Sequence, residues 1–197
     1  MSPELTSVCV YCGSSPGLDA SFARAATELG HLLATREITL VYGGGHVGLM
    51  GAVADAALEQ GGTVHGVITR ALEDREVAHR GLTSLQVVDT MHERKAAMAD
   101  AADAFVMLPG GFGTLEEFFE VVTWTQLGVH SKPCGVLNVA GYFDPLIALF
   151  DLATEQRFVR TEHRDSVIVE TETAALLDRL GSWTPVGVDK WIDRRDR

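Results

Sequence analysis

Apolar residues fall into two alternating kinds of stretch. Thr6 to Tyr11, Ile38 to Tyr42, Thr63 to Ile68, Leu85 to Val88, Ala104 to Leu108, Cys134 to Val139 and Ser166 to Val169 are short, nearly unbroken runs. Their length and β-branched content predict strands. Between them the apolar positions take up helical spacing. Asp19 or Ser21 can cap a helix through about Ala34, whose Phe22, Ala25, Ala26, Leu29, Leu32 and Leu33 form one stripe. An alanine-rich helix over Val47 to Gln60 is stopped by Gly61-Gly62, and helices follow over Met91 to Ala102, Thr114 to Leu127, Phe143 to Gln156 and Glu172 to Leu180. Strands that are apolar throughout, alternating with helices, predict an α/β fold: a doubly wound, mostly parallel sheet with helices on both faces.

Two segments break the alternation. Thr69 to Ser84 is polar and charge-rich without periodicity, which predicts a helix fragment plus a loop, the place for a lid or substrate loop. The tail Asp189 to Arg197 alternates charges and reads as a solvated end, flexible from about residue 185. No linker, internal repeat or low-complexity segment divides the 197 residues, so one domain is expected.

Composition narrows the class. With 46% hydrophobic and 22% charged residues the chain matches soluble globular proteins. No apolar run approaches the roughly eighteen residues of a membrane span, and Met-Ser-Pro-Glu-Leu-Thr lacks a signal-peptide layout, so a cytoplasmic location is expected. The three cysteines form no disulfide framework. Cys9 and Cys12 make a C-x-x-C, but in or at the end of a strand rather than opening a helix, and no second Cys/His pair completes a metal site. A net charge of −11 argues against a nucleic-acid surface. An anionic ligand therefore needs a local concentration of donors.

Three predicted strands end in such places: Gly13-Ser14-Ser15, Gly43-Gly44-Gly45-His46-Val47-Gly48 and Gly110-Gly111-Phe112-Gly113-Thr114. In a doubly wound sheet ligands bind outside the carboxyl ends of the strands, and the first N–H groups of each following helix lack partners. The plain alternative is that glycine serves positive φ or tight packing. Gly43-x-Gly45-x-x-Gly48 matches the dinucleotide fingerprint formally, but Ile68 is followed by Thr69 and Arg70 instead of an acidic ribose-binding residue. No P-loop motif occurs. The third turn is the most specific, because Glu116 and Glu117 follow it directly. Upstream, Met91-His-Glu-Arg-Lys95 sets Arg94 and Lys95 near a helix N-terminus, where they oppose the macrodipole unless paired. Either they are solvated beside Glu93, or Arg94 reaches a phosphate or Glu116.

Pro109-Gly-Gly-Phe-Gly-Thr-Leu-Glu-Glu117, Met91-His-Glu-Arg-Lys95 and Gly43-Gly-Gly-His-Val-Gly-Leu-Met-Gly51 together resemble the LOG family of cytokinin riboside 5′-monophosphate phosphoribohydrolases, long labelled as possible lysine decarboxylases. The similarity runs from about Ser7 to Val169. It implies a Rossmann-like hydrolase that splits N6-substituted adenosine 5′-monophosphates, and often AMP, into free base and ribose 5-phosphate without a cofactor or metal. The family's essential arginine and glutamate fall on Arg94 and Glu116. Substrate-binding positions fall on Glu76, Lys95, Gly110, Gly111, Phe112, Gly113, Thr114, Leu115, Glu116 and Thr123, with Ser14, Gly44, Gly45 and Glu117 added from the residues themselves. Phe112 stands where the family often has Tyr.

Glycosidic cleavage builds positive charge on the ribose, and a nearby carboxylate can stabilise that charge or activate the incoming water. Glu116 is the expected carboxylate, with Arg94 to orient it or to hold the phosphate or ribose; Glu117, about 100° round the helix, is expected to bond the ribose or cap the turn. A pyridoxal decarboxylase needs a Schiff-base lysine with a pyridinium partner, and none of Lys95, Lys132 and Lys190 has that setting. Phe118, Phe119, Val121, Val122 and Trp124 put aromatic bulk on more than one helix side, and the resemblance implies a homodimer with the site near its interface. The rival class is a non-catalytic nucleotide or molybdenum-cofactor carrier, which does not need the Arg94 and Glu116 pair; a DNA-processing protein is disfavoured by the −11 charge.

Overall fold

A computed structural model describes residues 5–73 and 78–185. In chain order the elements are β1 (Ser7–Tyr11), α1 (Ala20–Thr35), β2 (Thr39–Tyr42), α2 (Gly48–Glu59), β3 (Val64–Thr69), α3 (Arg70–Glu73), β4 (Ser84–Val88) and α4 (Met91–Asp100). Then come β5 (Ala104–Met107), α5 (Phe112–Leu127), β6 (Cys134–Leu137), a 3₁₀ turn (Val139–Gly141), α6 (Asp144–Glu155), α7 (Thr161–Asp165), β7 (Val167–Glu170) and α8 (Thr173–Ser182).

Local signals explain the boundaries. Asp19 caps α1 through its carboxylate, which accepts from Ser21 N at 2.8 Å. Thr90 and Glu93 form a reciprocal capping box on α4, so Glu93 belongs to the backbone and is no partner of the cations that follow it. α5 stops at Gly128, whose φ of 73° suits glycine.

The seven strands form one sheet in the order β4-β3-β2-β1-β5-β6-β7, and every strand pairing is parallel. This is the doubly wound sheet the hydrophobic pattern predicts. α1, α2 and α8 cover one face, where Leu29, Leu33, Val53, Ala57, Leu176 and Leu180 pack on Val8, Val10 and Leu40. On the other face Met98 of α4 and Phe118 and Val121 of α5 pack on Cys9, Tyr11, Phe105 and Met107. Cys9 and Cys12 enter opposite clusters, because successive strand residues alternate faces. Both thiols are buried and pushed up by desolvation, the reverse of a reactive pair.

Strand order also locates the crevice. β1 through β4 step outward one way, and the chain then returns across the sheet to place β5 beside β1. At that reversal the carboxyl ends of β1 and β5 splay their loops apart, the position where such sheets bind ligands. A hydrogen bond from Gly13 N to the Pro109 carbonyl, at 3.0 Å, ties the two loops at their base.

Departures from the sequence expectations are local. α5 begins at Phe112 instead of Thr114, because the glycine turn winds directly into the helix. β6 stops at Leu137, since the Asn138 side chain accepts from Phe143 N at 2.8 Å and folds the chain into the 3₁₀ turn. α7 is short and polar, Thr-Glu-His-Arg-Asp, and carries no periodicity to predict it. In the Thr69 to Ser84 segment, α3 supplies the helix fragment, and Ala78 bridges back to Gly45. Nearly all of the tail expected to be flexible lies outside the described residues.

Candidate active site

α5 sets the site. Its N-terminus points into the crevice, and its first N–H groups lie at Gly111 to Thr114, ahead of the first i to i−4 bond, Leu115 N to Gly111 O at 3.1 Å. A Cβ built on Gly111 or Gly113 would meet no atom within 4 Å, and neither residue has positive φ. Neither packing nor backbone strain calls for glycine there; bare backbone keeps the N–H groups approachable. Gly110 differs, because a Cβ there would collide with the Thr114 side chain and the Gly13 backbone.

Thr114, Glu117, Phe118 and Val121 follow at i, i+3, i+4 and i+7, the spacing of one helix face, and Thr114, Phe118 and Val121 are buried. Glu117 lies on that inward face and its side chain is only 12% exposed; Glu116 lies on the next face and is 56% exposed. The Arg94 guanidinium reaches Glu117, Nη1 to Oε1 at 2.9 Å, and not Glu116 as expected. Glu116 pairs instead with Lys95, which also holds Glu120 at 3.1 Å. The two cations follow one another on α4 and are therefore sorted onto two carboxylate faces of α5.

Arg94 is fixed beyond that pair. Its Nε donates to the Val67 carbonyl at 2.9 Å and Nη2 to the Gly43 carbonyl at 3.2 Å. A Cβ at Gly43 would strike the guanidinium, so glycine there makes room for the arginine. Three of the five guanidinium N–H groups are thus engaged, leaving two for a ligand.

Electrostatics separate the two acids. Burial pushes the Glu117 carboxyl above the ordinary glutamate value; Arg94 opposes that shift, and neighbouring Glu116 adds to it. Burial alone would pull the Lys95 ammonium down, yet its hydrogen bonds to Glu116 and Glu120 leave it raised. A lysine held in that state is a poor nucleophile.

A cavity of about 280 Å³ lies in front of the pair, lined by Cys12, Gly13, Ser14, Met50, Leu72, Arg94, Gly111 to Thr114 and Glu117. Phe112 stands 91% exposed at its rim. A second hollow, about 350 Å³, shares Gly13, Ser14 and Gly111 with the first and is otherwise walled by the Ser15 to Gly17 loop, Phe22, Leu49, Pro109, Gly110 and Tyr142. Among the described residues no group of three or more His, Cys, Asp or Glu is placed to hold a metal. Nor is any described helix long and apolar enough to cross a membrane.

Of the expected residues, the fold therefore gathers Arg94, Ser14, Gly111, Phe112, Gly113, Thr114 and Glu117 around one cavity. Gly110 lines the second hollow. Leu115 turns its side chain to the core, and its N–H is spent inside the helix. Gly44 and Gly45 are buried and taken by the chain itself: the Gly44 carbonyl accepts from His79 N at 3.0 Å, and Gly45 bridges Ala78. The first N–H groups of α2 are not open either, since Leu49 N and Met50 N both donate to the Gly13 carbonyl. Of the three turns, the one after β5 keeps an open helix end. Thr123, two turns on, lines a separate apolar hollow of about 450 Å³ with Phe119, Val122, Phe150 and Phe158. Glu76 lies outside the described residues. Sequence reasoning missed Cys12, Met50, Leu72 and Tyr142 as lining residues: Cys12 stands in the C-x-x-C and Met50 inside the Gly43 to Gly51 motif, where the glycines drew the reading, while Leu72 and Tyr142 stand in no motif.

Residues 50–180 match the family model described as possible lysine decarboxylase. The cytokinin riboside 5′-monophosphate phosphoribohydrolase LOG of Oryza sativa subsp. japonica is 48% identical over 178 residues, 90% of this chain and 74% of that protein. LOG4 of Arabidopsis thaliana, with the same activity in its name, is 46% identical over 90% of this chain and 83% of its own. Among solved structures, a molybdenum cofactor binding protein from Rippkaea orientalis aligns with a TM-score of 0.68 over 90% of this chain and 96% of its own. The molybdenum cofactor carrier protein of Chlamydomonas reinhardtii aligns at 0.67, over 89% of this chain and 98% of its own. At 18% and 21% identity, those two likenesses speak for the shared fold alone. The extent and identity of the sequence matches decide the family: the chain belongs to the LOG family of cytokinin riboside 5′-monophosphate phosphoribohydrolases.

Proposed function

We propose that this protein hydrolyses the N-glycosidic bond of adenosine 5′-monophosphates, N6-substituted or plain, to free base and ribose 5-phosphate. The observation that carries the reading is the buried Arg94–Glu117 pair beside an open helix N-terminus. The N–H groups of Gly111 to Thr114, with the Ser14 hydroxyl at the cavity wall, hold the phosphate, and the helix dipole favours its charge. The ribose then lies against Glu117. As the bond from C1′ to the base nitrogen breaks, Glu117 stabilises the positive ribose ring and takes a proton from the attacking water; water oxygen joins C1′, the departing base nitrogen takes a proton from solvent, and Glu117 returns its own proton to solvent, so that the sum is one water consumed. Arg94 keeps Glu117 ionised and uses its two remaining N–H groups on the ribose hydroxyls.

The expected roles are thereby revised: Glu117, not Glu116, is the reacting carboxylate, and Lys95 with Glu116 fixes the position of α4 against α5. A pyridoxal decarboxylase gains no support from the lysines among the described residues, outside which Lys190 lies. Lys95 is clamped between carboxylates, and Lys132 donates to the Ala99 carbonyl in the loop leading into β6, at the amino ends of the strands. A carrier that merely holds phosphate has no use for a buried arginine trained on a buried glutamate. The test is incubation of purified protein with AMP and isopentenyladenosine 5′-monophosphate, followed by chromatography. Free base is expected from both; tight nucleotide binding without base release would favour the carrier.

The assembly we propose is a homodimer. Phe119, Leu149, Leu152 and Phe158 expose apolar bulk around the hollow beside α5, on the outer side of the helix that carries the site. Thr123 in this hollow then belongs to the interface. Light scattering is expected to give twice the 21.2 kDa chain mass, and a monomer at micromolar concentration would reject the assembly. The three free, buried cysteines support a cytoplasmic setting.

A further inference from the structure

We infer that Tyr142 is a positioning residue that aims the phosphate-binding N–H groups, an inference that rests on the anion role proposed for the α5 N-terminus. The Tyr142 hydroxyl donates to the Gly110 carbonyl at 2.7 Å from the side of the second hollow. The Gly110 carbonyl and the Gly111 N–H belong to one trans peptide plane, in which they point in opposite directions. Holding the carbonyl towards Tyr142 turns the Gly111 N–H away from it, and Gly111 also lines the Arg94–Glu117 cavity. Glycines on both sides of this peptide would otherwise let it rotate with little resistance.

Tyr142 is itself held more firmly than its 44% exposure suggests. Its ring meets Phe22 edge to face at 5.4 Å and Phe143 at 4.9 Å. The turn that presents it is pinned by Asn138, which is buried and bonded three ways: N–H to the Glu170 carbonyl, Oδ1 from Phe143 N, and Nδ2 to Asp144 at 2.7 Å. Just before the tyrosine, Ala140 takes φ 51° and ψ 29°, a left-handed conformation that an alanine adopts only when its surroundings impose it. Two independent features, a strained turn and a satisfied buried amide, thus converge on the placement of one phenol. The second hollow is then the support side of the anion site.

The experiment compares wild type with Tyr142→Phe, which keeps both ring contacts and deletes only the donor. Calorimetric titration with ribose 5-phosphate and with inorganic phosphate is expected to show affinity weakened about threefold to tenfold, the scale of one hydrogen bond. In the base-release assay KM for AMP should rise by a similar factor while kcat stays within about twofold, since Arg94 and Glu117 are untouched. A melting temperature close to wild type excludes general unfolding. Equal phosphate affinity in the two proteins, or a loss confined to kcat, would overturn the inference. Titration needs no turnover, so a wild type that binds ribose 5-phosphate but releases no base would sink the hydrolase reading and leave this one to be judged on affinity.

Discussion

Glu117→Gln is expected to release base from AMP at least about a hundredfold more slowly than wild type, while Glu116→Gln stays within about threefold. The two residues are neighbours with the same side chain, so composition cannot separate them. Burial can: Glu117 faces the cavity and Arg94, whereas Glu116 is mostly solvated and engages Lys95. A carboxylate stabilises developing charge more strongly where water is excluded. The pH profile provides a second reading. Because burial holds the Glu117 pKa above its ordinary value, the acid limb of kcat/KM should fall at higher pH than the roughly 4.3 of an unperturbed glutamate. Equal loss from both variants, or greater loss from Glu116→Gln, would return the catalytic role to Glu116.

Arg94→Met should abolish base release and also destabilise the fold by about 3 kcal/mol at neutral pH, measured by urea denaturation. The substitution leaves Glu117 buried without its cation and orphans the Val67 and Gly43 carbonyls. Without Arg94 the folded-state pKa of Glu117 rises further. A glutamate whose pKa is raised on folding leaves the native state most favoured below its unfolded pKa, and that advantage is lost as pH rises through the folded value. The deficit of Arg94→Met should therefore shrink in acid and grow towards neutrality. Adding Glu117→Leu should recover part of it, since removing both buried charges is milder than removing one. A deficit independent of pH, or a double variant weaker than the single, would show that the pair is not what Arg94 supports.

The fold was legible because seven apolar runs alternate with helical stripes, and a sheet buried on both faces leaves few other arrangements. The glycine turn after β5 was legible for a different reason: its motif is local, and the helix end that uses it is adjacent in sequence. What failed was pairing across elements. Arg94 and Glu117 are twenty-three residues apart, and whether Arg94 meets 116 or 117 depends on how far α5 is rotated against the sheet. The signal was present in part, since Thr114, Glu117, Phe118 and Val121 share one helical face and three of them are plainly core or turn residues. Gly44 and Gly45 misled because their partners, Ala78 and His79, lie beyond a segment without periodicity. Tyr142 was invisible, for it reaches Gly110 across thirty-two residues from a turn with no recognisable motif.

One geometric consequence remains in α5. Its first turn holds the proposed phosphate donors, and the next inward position holds the carboxylate, so both ends of the reacting unit are measured against a single rigid rod. Thr114 and Glu117 are three residues apart, a rise of about 4.5 Å along the axis. The helix is then a ruler with the phosphate at its zero mark and the glycosidic carbon at a fixed graduation. Under the proposed roles a 5′-monophosphate would meet both marks, whereas moving the phosphate to another ribose hydroxyl, or interposing a second phosphoryl group, would take the sugar carbon off the scale. On that proposal, selection for the monophosphate would follow from the pitch of one helical turn.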